Sequence, residues 1–414
     1  MMLLDRKRMR IAVGQSGGPT AAINATLCGV LEEAKQNGIE VIGMLNGIEG
    51  FLQKRYMNCS ELSYEQLMRL KKTPAAFLGS CRYRLPEDLS ASAYKEVFLL
   101  CRALHISAIL YIGGNDSMDT VMKLAKYQKL YGGEVAVIGL PKTIDNDLLG
   151  TDHTPGYGSA ARYVATAIQE ISMDAAVYEE PSVTIVEIMG RNAGWLTAAS
   201  ALARNQVQPF PSRIYLPEDP FDKERFLTHI ETDLRAYRRS LVCVSEGIKD
   251  ENGKLICEGE AVTAYDAFGN RMMSGCARVL EGLVKQRWNG IKCRSMELGI
   301  LQRCAAHCIS ETDIREAEAV GREGVRLAAE KKTGVMVGIQ RKTTEAGTYA
   351  ICLEDKRIEQ VYGAERVMPK EWILSEKADV SDAFLDYARP LVFGGNASGE
   401  TDYICRRELA GCSL

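Results

Sequence analysis

Residues 141–147, PKTIDND, set Lys142, Thr143, Asp145 and Asp147 in one short loop after an apolar run. Two carboxylates spaced two apart can divide the labour of a transfer reaction. One takes a proton from a substrate hydroxyl while the other positions a metal or a phosphate. A neighbouring lysine offers a point charge to phosphoryl oxygens. A solvated acidic turn is the competing explanation, disfavoured because the loop sits where functional loops sit. A second stretch, ILYIGGNDSMDTV at 109–121, ends an apolar run in Gly113-Gly114-Asn115-Asp116-Ser117. Backbone groups, an amide, an acid and a hydroxyl converge there, which suits a small charged ligand.

Further loops repeat the pattern. VGQSGGPTAAINA carries Gly17 and Gly18 at a turn that opens a helix, where exposed N–H groups attract an anion. Taken alone, that turn serves packing as readily as phosphate binding. EIMGRNAGW offers Met189, Gly190 and the forked donor Arg191, and VSEG offers Glu246 as an acceptor for sugar hydroxyls. RSMELGILQR sets Arg294 and Arg303 on either side of a further apolar run.

These loops need strands to hold them. Apolar runs at 10–14, 40–45, 107–113, 134–140, 182–189, 213–217, 240–247, 294–300 and 333–340 predict strands, several apolar almost throughout. Strands buried on both faces of a parallel sheet read this way, and helical patterns alternate with them. Ligands in such sheets sit beyond the carboxyl ends of the strands, where the unusual residues fall. From about 346 onward the pattern is less regular, with one strand-like run, TYAICLED.

The 414 residues exceed one ordinary domain, and 25% charged residues with a net charge of −3 give no basic face for nucleic acid. No apolar run approaches a membrane span, and the first residues lack a signal-peptide core, so a cytoplasmic protein without a membrane partner is expected. Thirteen cysteines lie singly between Cys28 and Cys412, which fits reduced thiols packed as small hydrophobes. In CAAHC, helical spacing would set Cys304, His307 and Cys308 on one face. A metal needs further ligands, so helix packing is the expectation.

Together the loops resemble the phosphofructokinase family from about residue 10 to 340. SGGPTAAIN is similar to its first phosphate loop and FLGSCRY to the segment that brings an arginine, here Arg82, between the phosphates. GGNDS resembles its magnesium and phosphate loop, PKTIDND its catalytic loop, and VEIMGR, SEG and QR its sugar-binding segments. The resemblance implies an α/β fold of two Rossmann-like three-layer lobes with parallel-dominated sheets and a C-terminal extension. Residues 1–150 would form the donor lobe, completed by part of 266–315. Residues 151–265 would form the sugar-phosphate lobe, completed by 316–345, with 346–414 as the extension. It also implies an active site in the cleft, Mg2+ as cofactor, and subunits of a homodimer or homotetramer completing each other's sites.

Roles follow from the resemblance as well. Asp145 would be the base for the sugar 1-hydroxyl, with Lys142, Asp116 and Arg82 beside it. Gly17, Gly18, Gly114 and Ser117 would hold the donor, and Asn115 would lie at the metal. Thr143, Ile144, Asp147, Met189, Gly190, Arg191, Glu246, Arg294 and Arg303 would hold the sugar phosphate. ATP-using members have glycine where this chain has Asp116 and Lys142. A carboxylate at 116 would take the place of a nucleotide's α-phosphate, by bulk and by like-charge repulsion. Pyrophosphate is therefore the expected donor and fructose 6-phosphate the expected acceptor.

Asn115, Ile300 and Ser182 depart from the family pattern, where aspartate, histidine and arginine are usual. The competing readings are ATP as donor, another sugar phosphate or polyol as acceptor, and a non-catalytic sensor or regulatory subunit. A sensor would not need Asp145, Asp147 and Lys142. A dinucleotide-binding oxidoreductase is disfavoured because the G-x-G-x-x-G spacing is missing.

Overall fold

The computed structural model describes residues 9–205, 209–257, 275–344 and 347–394. In chain order the strands begin with β1 (Arg10–Gln15), β2 (Glu40–Met44), β3 (Tyr56–Asn58), β4 (Ala108–Gly113), β5 (Ala136–Pro141) and β6 (Ser182–Ile188). They continue with β7 (Arg213–Tyr215), β8 (Arg239–Ser245), β9 (Lys292–Glu297), β10 (Val335–Thr343) and β11 (Tyr349–Arg357). The chain divides into two compact units, residues 1–156 with 313–365 and residues 157–312 with 366–414.

The first unit holds a seven-stranded sheet in the order β11-β10-β5-β4-β1-β2-β3. Its five central strands run parallel, and β3 and β11 close the edges antiparallel. Every residue of β4 and β5 is buried, which is why these runs are apolar without alternation. Successive side chains feed opposite faces. Ile11, Val13, Leu110 and Ile138 enter one core, and Ala12, Ile109, Tyr111 and Val137 the other. Each buried aliphatic side chain contributes about 1.5–3 kcal/mol.

Helices Ile23–Gln36 and Glu311–Ala329 cover the first face, crossing where Gly29 meets Gly321. A Cβ on Gly29 would come 2.1 Å from Glu318 O, so the crossing tolerates no side chain there. Helices Ser92–Ala103 and Asn115–Tyr131 cover the other face, through residues such as Tyr94, Val97 and Val121.

The second unit has a four-stranded parallel sheet, β7-β8-β6-β9. Val183, Ile185, Val242 and Val244 pack against Tyr215, Phe226 and Leu280 on one side. The helix Asp382–Phe393 belongs to this unit, where Ser310 Oγ donates to Leu391 O at 2.6 Å.

Two expectations about domain completion are corrected. The segment completing the first sheet is not 266–315: β10 and β11 do so, with Val335 opposite Ile138 in parallel register. The second unit is completed not by 316–345 but by β9, which lies beside β6 with Thr184 opposite Arg294. Nor is 346–414 one separate extension. Residues 347–365 carry β11 in the first unit, and 366–394 belong to the second. Among the described residues no helix is long and apolar enough to cross a membrane.

Candidate active site

In the first unit, β5, β4 and β1 are neighbours, and each ends in one of the loops singled out above. Their ends are level, with Gln15 opposite Ile112 and Gly113 opposite Pro141. The chain steps from β1 to β2 on one side and returns to β4 on the other. That makes the gap between β1 and β4 a topological switch point.

The first loop leaves β1 with Ser16 N bonded to Ile112 O at 2.9 Å and Gly17 at φ +76°. Buried Gln15 and Asn24 tie it to the segment before Arg82. Gln15 Nε2 donates to Asn24 Oδ1 at 2.9 Å, and Leu78 N donates to Gln15 Oε1 at 2.8 Å. Ser80 Oγ then donates to Gly17 O at 2.6 Å. Arg82 follows, exposed, two residues on.

The second loop is tight because Gly113 has no Cβ, which would fall 1.9 Å from Ser117 Oγ. Helix Asn115–Tyr131 starts immediately, with Gly114 as N-cap and no side chain capping it. Ser117 is buried, and its Oγ has no hydrogen-bond partner among the described residues. An uncapped helix start with an unspent hydroxyl is suited to an anion. Asp116, in the first turn, is paired with Arg84 at 3.0 Å.

The third loop sends Lys142 back under the first. Its side chain is buried, and Nζ donates to Ser16 O at 2.9 Å and Gly18 O at 2.7 Å. A Cβ on Gly17 would stand 3.4 Å from that nitrogen, so the Gly17 backbone lies directly against the ammonium. Thr143 Oγ1 accepts from Asp145 N at 3.1 Å, and Asp145 is half-buried. Asn146 takes a left-handed turn at φ +55°, its Oδ1 accepting from Thr154 N at 3.1 Å. Ile144 is buried and offers no polar side-chain atom.

Asp147 Oδ2 accepts from Asn115 Nδ2 at 2.8 Å, while its Oδ1 is buried without a hydrogen-bond partner among the described residues. Burial, then the charges of Asp145 and Glu365, push the Asp147 carboxyl up to about 8.

In the second unit, loops after β6 and β8 meet backbone to backbone. Glu246 N donates to Ile188 O at 2.9 Å, and Gly190 N to Glu246 Oε1 at 3.4 Å. Gly190 has φ +150°, and a Cβ on Gly247 would come 1.9 Å from Arg191 O. Met189 N donates to Gln302 Oε1 at 3.0 Å, which fastens the short helix Leu301–Cys304 to the same corner. Arg303, on that helix, has a buried Nε with no hydrogen-bond partner among the described residues.

Residues 10–327 match a family model described as Phosphofructokinase. This chain belongs to the phosphofructokinase family. Over 94% of its length it is 36% identical to pyrophosphate--fructose 6-phosphate 1-phosphotransferase of Methylococcus capsulatus, covering 94% of that protein. It is 37% identical to the protein of the same name from Xanthomonas campestris pv. campestris, over 92% of this chain and 90% of that one. Among solved structures, the pyrophosphate-dependent phosphofructokinase of Marinobacter aquaeolei superposes with a TM-score of 0.82 at 34% identity, covering 93% of this chain and 91% of that one.

The first unit brings together Gly17, Gly18, Gly114, Asn115, Asp116, Ser117, Lys142, Thr143, Asp145 and Asp147. The second gathers Met189, Gly190, Arg191, Glu246 and Arg303. Arg294 does not join that group. It lies within β9 opposite Thr184, five residues before Met189 along the neighbouring strand, or roughly 16 Å away. There it pairs with Asp174 at 3.2 Å. Ser182 likewise starts β6 at the end remote from Met189. Ile300 is exposed.

Gln302 and Arg84 were not singled out from sequence. The residues of CAAHC do not share one helix face. Cys304 ends a short helix, and His307 and Cys308 follow in a separate 3-10 turn. Cys304 Sγ donates to Ile300 O at 3.2 Å and Cys308 Sγ to Thr166 Oγ1 at 3.5 Å, while His307 lies edge-on to Tyr163.

Proposed function

We propose that this chain transfers the terminal phosphoryl group of pyrophosphate to the 1-hydroxyl of fructose 6-phosphate, reversibly and with Mg2+. The observation that carries this reading is the combination of Asp116 at an uncapped helix start with Lys142 buried beneath the Gly17 loop. The first fills the space a nucleotide's inner phosphate would need. The second supplies positive charge next to a loop that a small, highly charged donor can approach. The names of the relatives agree with this donor and acceptor.

Asp145 accepts the proton of the 1-hydroxyl on a carboxylate oxygen, its backbone N–H fixed by Thr143 Oγ1. The sugar oxygen then attacks the terminal phosphorus, and the bond from phosphorus to the bridging oxygen breaks, releasing orthophosphate. Lys142 and Arg82 offset the charge on the phosphoryl oxygens. The unspent Asp147 Oδ1, on a carboxyl pushed up by burial and then by its acidic neighbours, fits a hard divalent cation, and the amide oxygen of Asn115 adds a neutral ligand. Bound there, Mg2+ would neutralise pyrophosphate oxygens. Met189, Gly190, Arg191, Glu246 and Arg303 hold the sugar phosphate. Arg294 serves the site of a neighbouring copy in a homodimer or homotetramer, which accounts for its distance from the others.

The test is the reverse reaction, followed by phosphorus NMR. Fructose 1,6-bisphosphate with orthophosphate and Mg2+ should yield pyrophosphate and fructose 6-phosphate. A requirement for ADP in place of orthophosphate would refute the assignment.

A further inference from the structure

Asp116 is not a bare charge. Arg84 Nη2 contacts its Oδ1 at 3.0 Å, with the two side chains 51% and 37% exposed. The backbone that carries Arg84 is fixed to the same helix as Asp116. Lys123, buried in helix Asn115–Tyr131, donates to Leu85 O at 3.1 Å and Glu87 Oε1 at 2.5 Å, and pairs with Asp119 at 2.8 Å. Tyr94 Oη donates to Pro86 O, and Leu85 is buried. The guanidinium therefore starts from a fixed point beside the carboxylate.

Resting on the pyrophosphate reading above, we propose that Arg84 is a specificity-positioning residue. It pins Asp116 as an electrically balanced wedge, so that a nucleotide donor is refused by occupied space and not by repulsion. An ion pair of opposite charges has little net field to repel an incoming phosphate. A half-exposed pair adds only about 1 kcal/mol, or about fivefold, to the population of one side-chain placement. That is enough to keep a short carboxylate where a phosphate would have to go.

The experiment compares kcat/KM for pyrophosphate and for ATP, with ADP binding by calorimetry read alongside. The proteins are wild type, Asp116→Asn, and Asp116→Asn combined with either Arg84→Met or Arg84→Lys. Asparagine keeps the bulk and still accepts from Arg84, so Asp116→Asn should remain nearly closed to ATP. Adding Arg84→Met frees the amide to turn away. It should raise the ATP-to-pyrophosphate ratio and the ADP affinity by about threefold to fivefold. Adding Arg84→Lys should hold them near the single variant. The sign is diagnostic, because Arg84→Met removes a positive charge and simple electrostatics demands weaker binding of an anionic nucleotide. The proposal is overturned if Asp116→Asn alone admits ATP as freely as Asp116→Gly, or if adding Arg84→Met leaves ADP affinity unchanged or lower. Absence of pyrophosphate turnover in the wild type would refute the donor assignment instead, and the ADP arm would still decide the pin.

Discussion

The side-chain amide of Asn115 donates to Asp147 Oδ2 at 2.8 Å, setting a neutral donor against a buried carboxylate. The amide satisfies one carboxylate oxygen in a pocket that burial, then Asp145 and Glu365, already make unfavourable for negative charge. Asn115→Asp would replace that donor with a further carboxylate. The variant should reach half-maximal activity at a lower Mg2+ concentration, since hard cations favour charged oxygen ligands. Without Mg2+ it should melt lower at pH 7.5 than the parent. Thermal melts with and without Mg2+, together with a Mg2+ titration of activity, check both halves. An unchanged Mg2+ dependence would remove residue 115 from the metal site.

Asp145→Asn keeps the shape of the base but cannot take a proton. Turnover should fall by about 10²–10⁴-fold, the usual worth of general base catalysis, with KM for both substrates within a few-fold. Steady-state kinetics decide it. Turnover near wild type would assign the proton to another group.

His153 is buried between Asp152, 2.8 Å from Nδ1, and Glu316, 2.6 Å from Nε2. Burial works against the imidazolium, but hydrogen bonds and charge from the two acids outweigh it and raise the group to about 9. A group raised from about 6.5 stabilises the fold fully below that pH, and the benefit fades as pH rises through about 9. His153→Gln would leave buried Glu316 and half-buried Asp152 without a cation between them, although Arg341 still reaches Asp152 and Tyr349 Oη still donates to Glu316. The variant should lose about 3 kcal/mol at pH 6. The gap to wild type should shrink between pH 7 and 9.5 in urea unfolding measured across that range. A gap that is constant with pH would mean the imidazole is neutral.

Gly113→Ala would drive a methyl group to within 1.9 Å of Ser117 Oγ, at the turn that starts the helix Asn115–Tyr131. The helix start must shift, so kcat/KM for pyrophosphate should fall more than tenfold while the fold survives. Gly132→Ala, at the other end of the same helix, has open space around its Cβ position and should leave kinetics intact despite its φ of +69°. Comparing the two variants by kinetics and melting separates damage to the site from damage to the helix.

The loops of the site were legible because each joins two local signals, an apolar strand and a glycine turn rich in polar groups. Strand partnership was not. β10 meets β5 across nearly two hundred residues of chain, as Val335 opposite Ile138 shows, and parallel pairing at that separation leaves no local trace. The segments that complete the two units are therefore the reverse of the sequence expectation. The sequence predicts that Lys142 offers its charge to phosphoryl oxygens. Its position in the loop was readable, but not its bonds to Ser16 O and Gly18 O, because a long side chain's direction depends on the fold. In the sequence Arg294 and Arg303 flank one apolar run and read as neighbours of one site. Only the register with β6 shows how far along the strand it lies. Gln302 and Arg84 reach Met189 N and Asp116 through side chains whose direction depends on the fold, for which sequence has no marker.

The central claim is the donor, and the most direct measurement is phosphorylation of fructose 6-phosphate by purified protein with Mg2+, offered pyrophosphate or ATP. Turnover with pyrophosphate and none with ATP is the predicted result. Turnover with ATP alone would contradict it, and would mean that Asp116 and Lys142 do not select the donor.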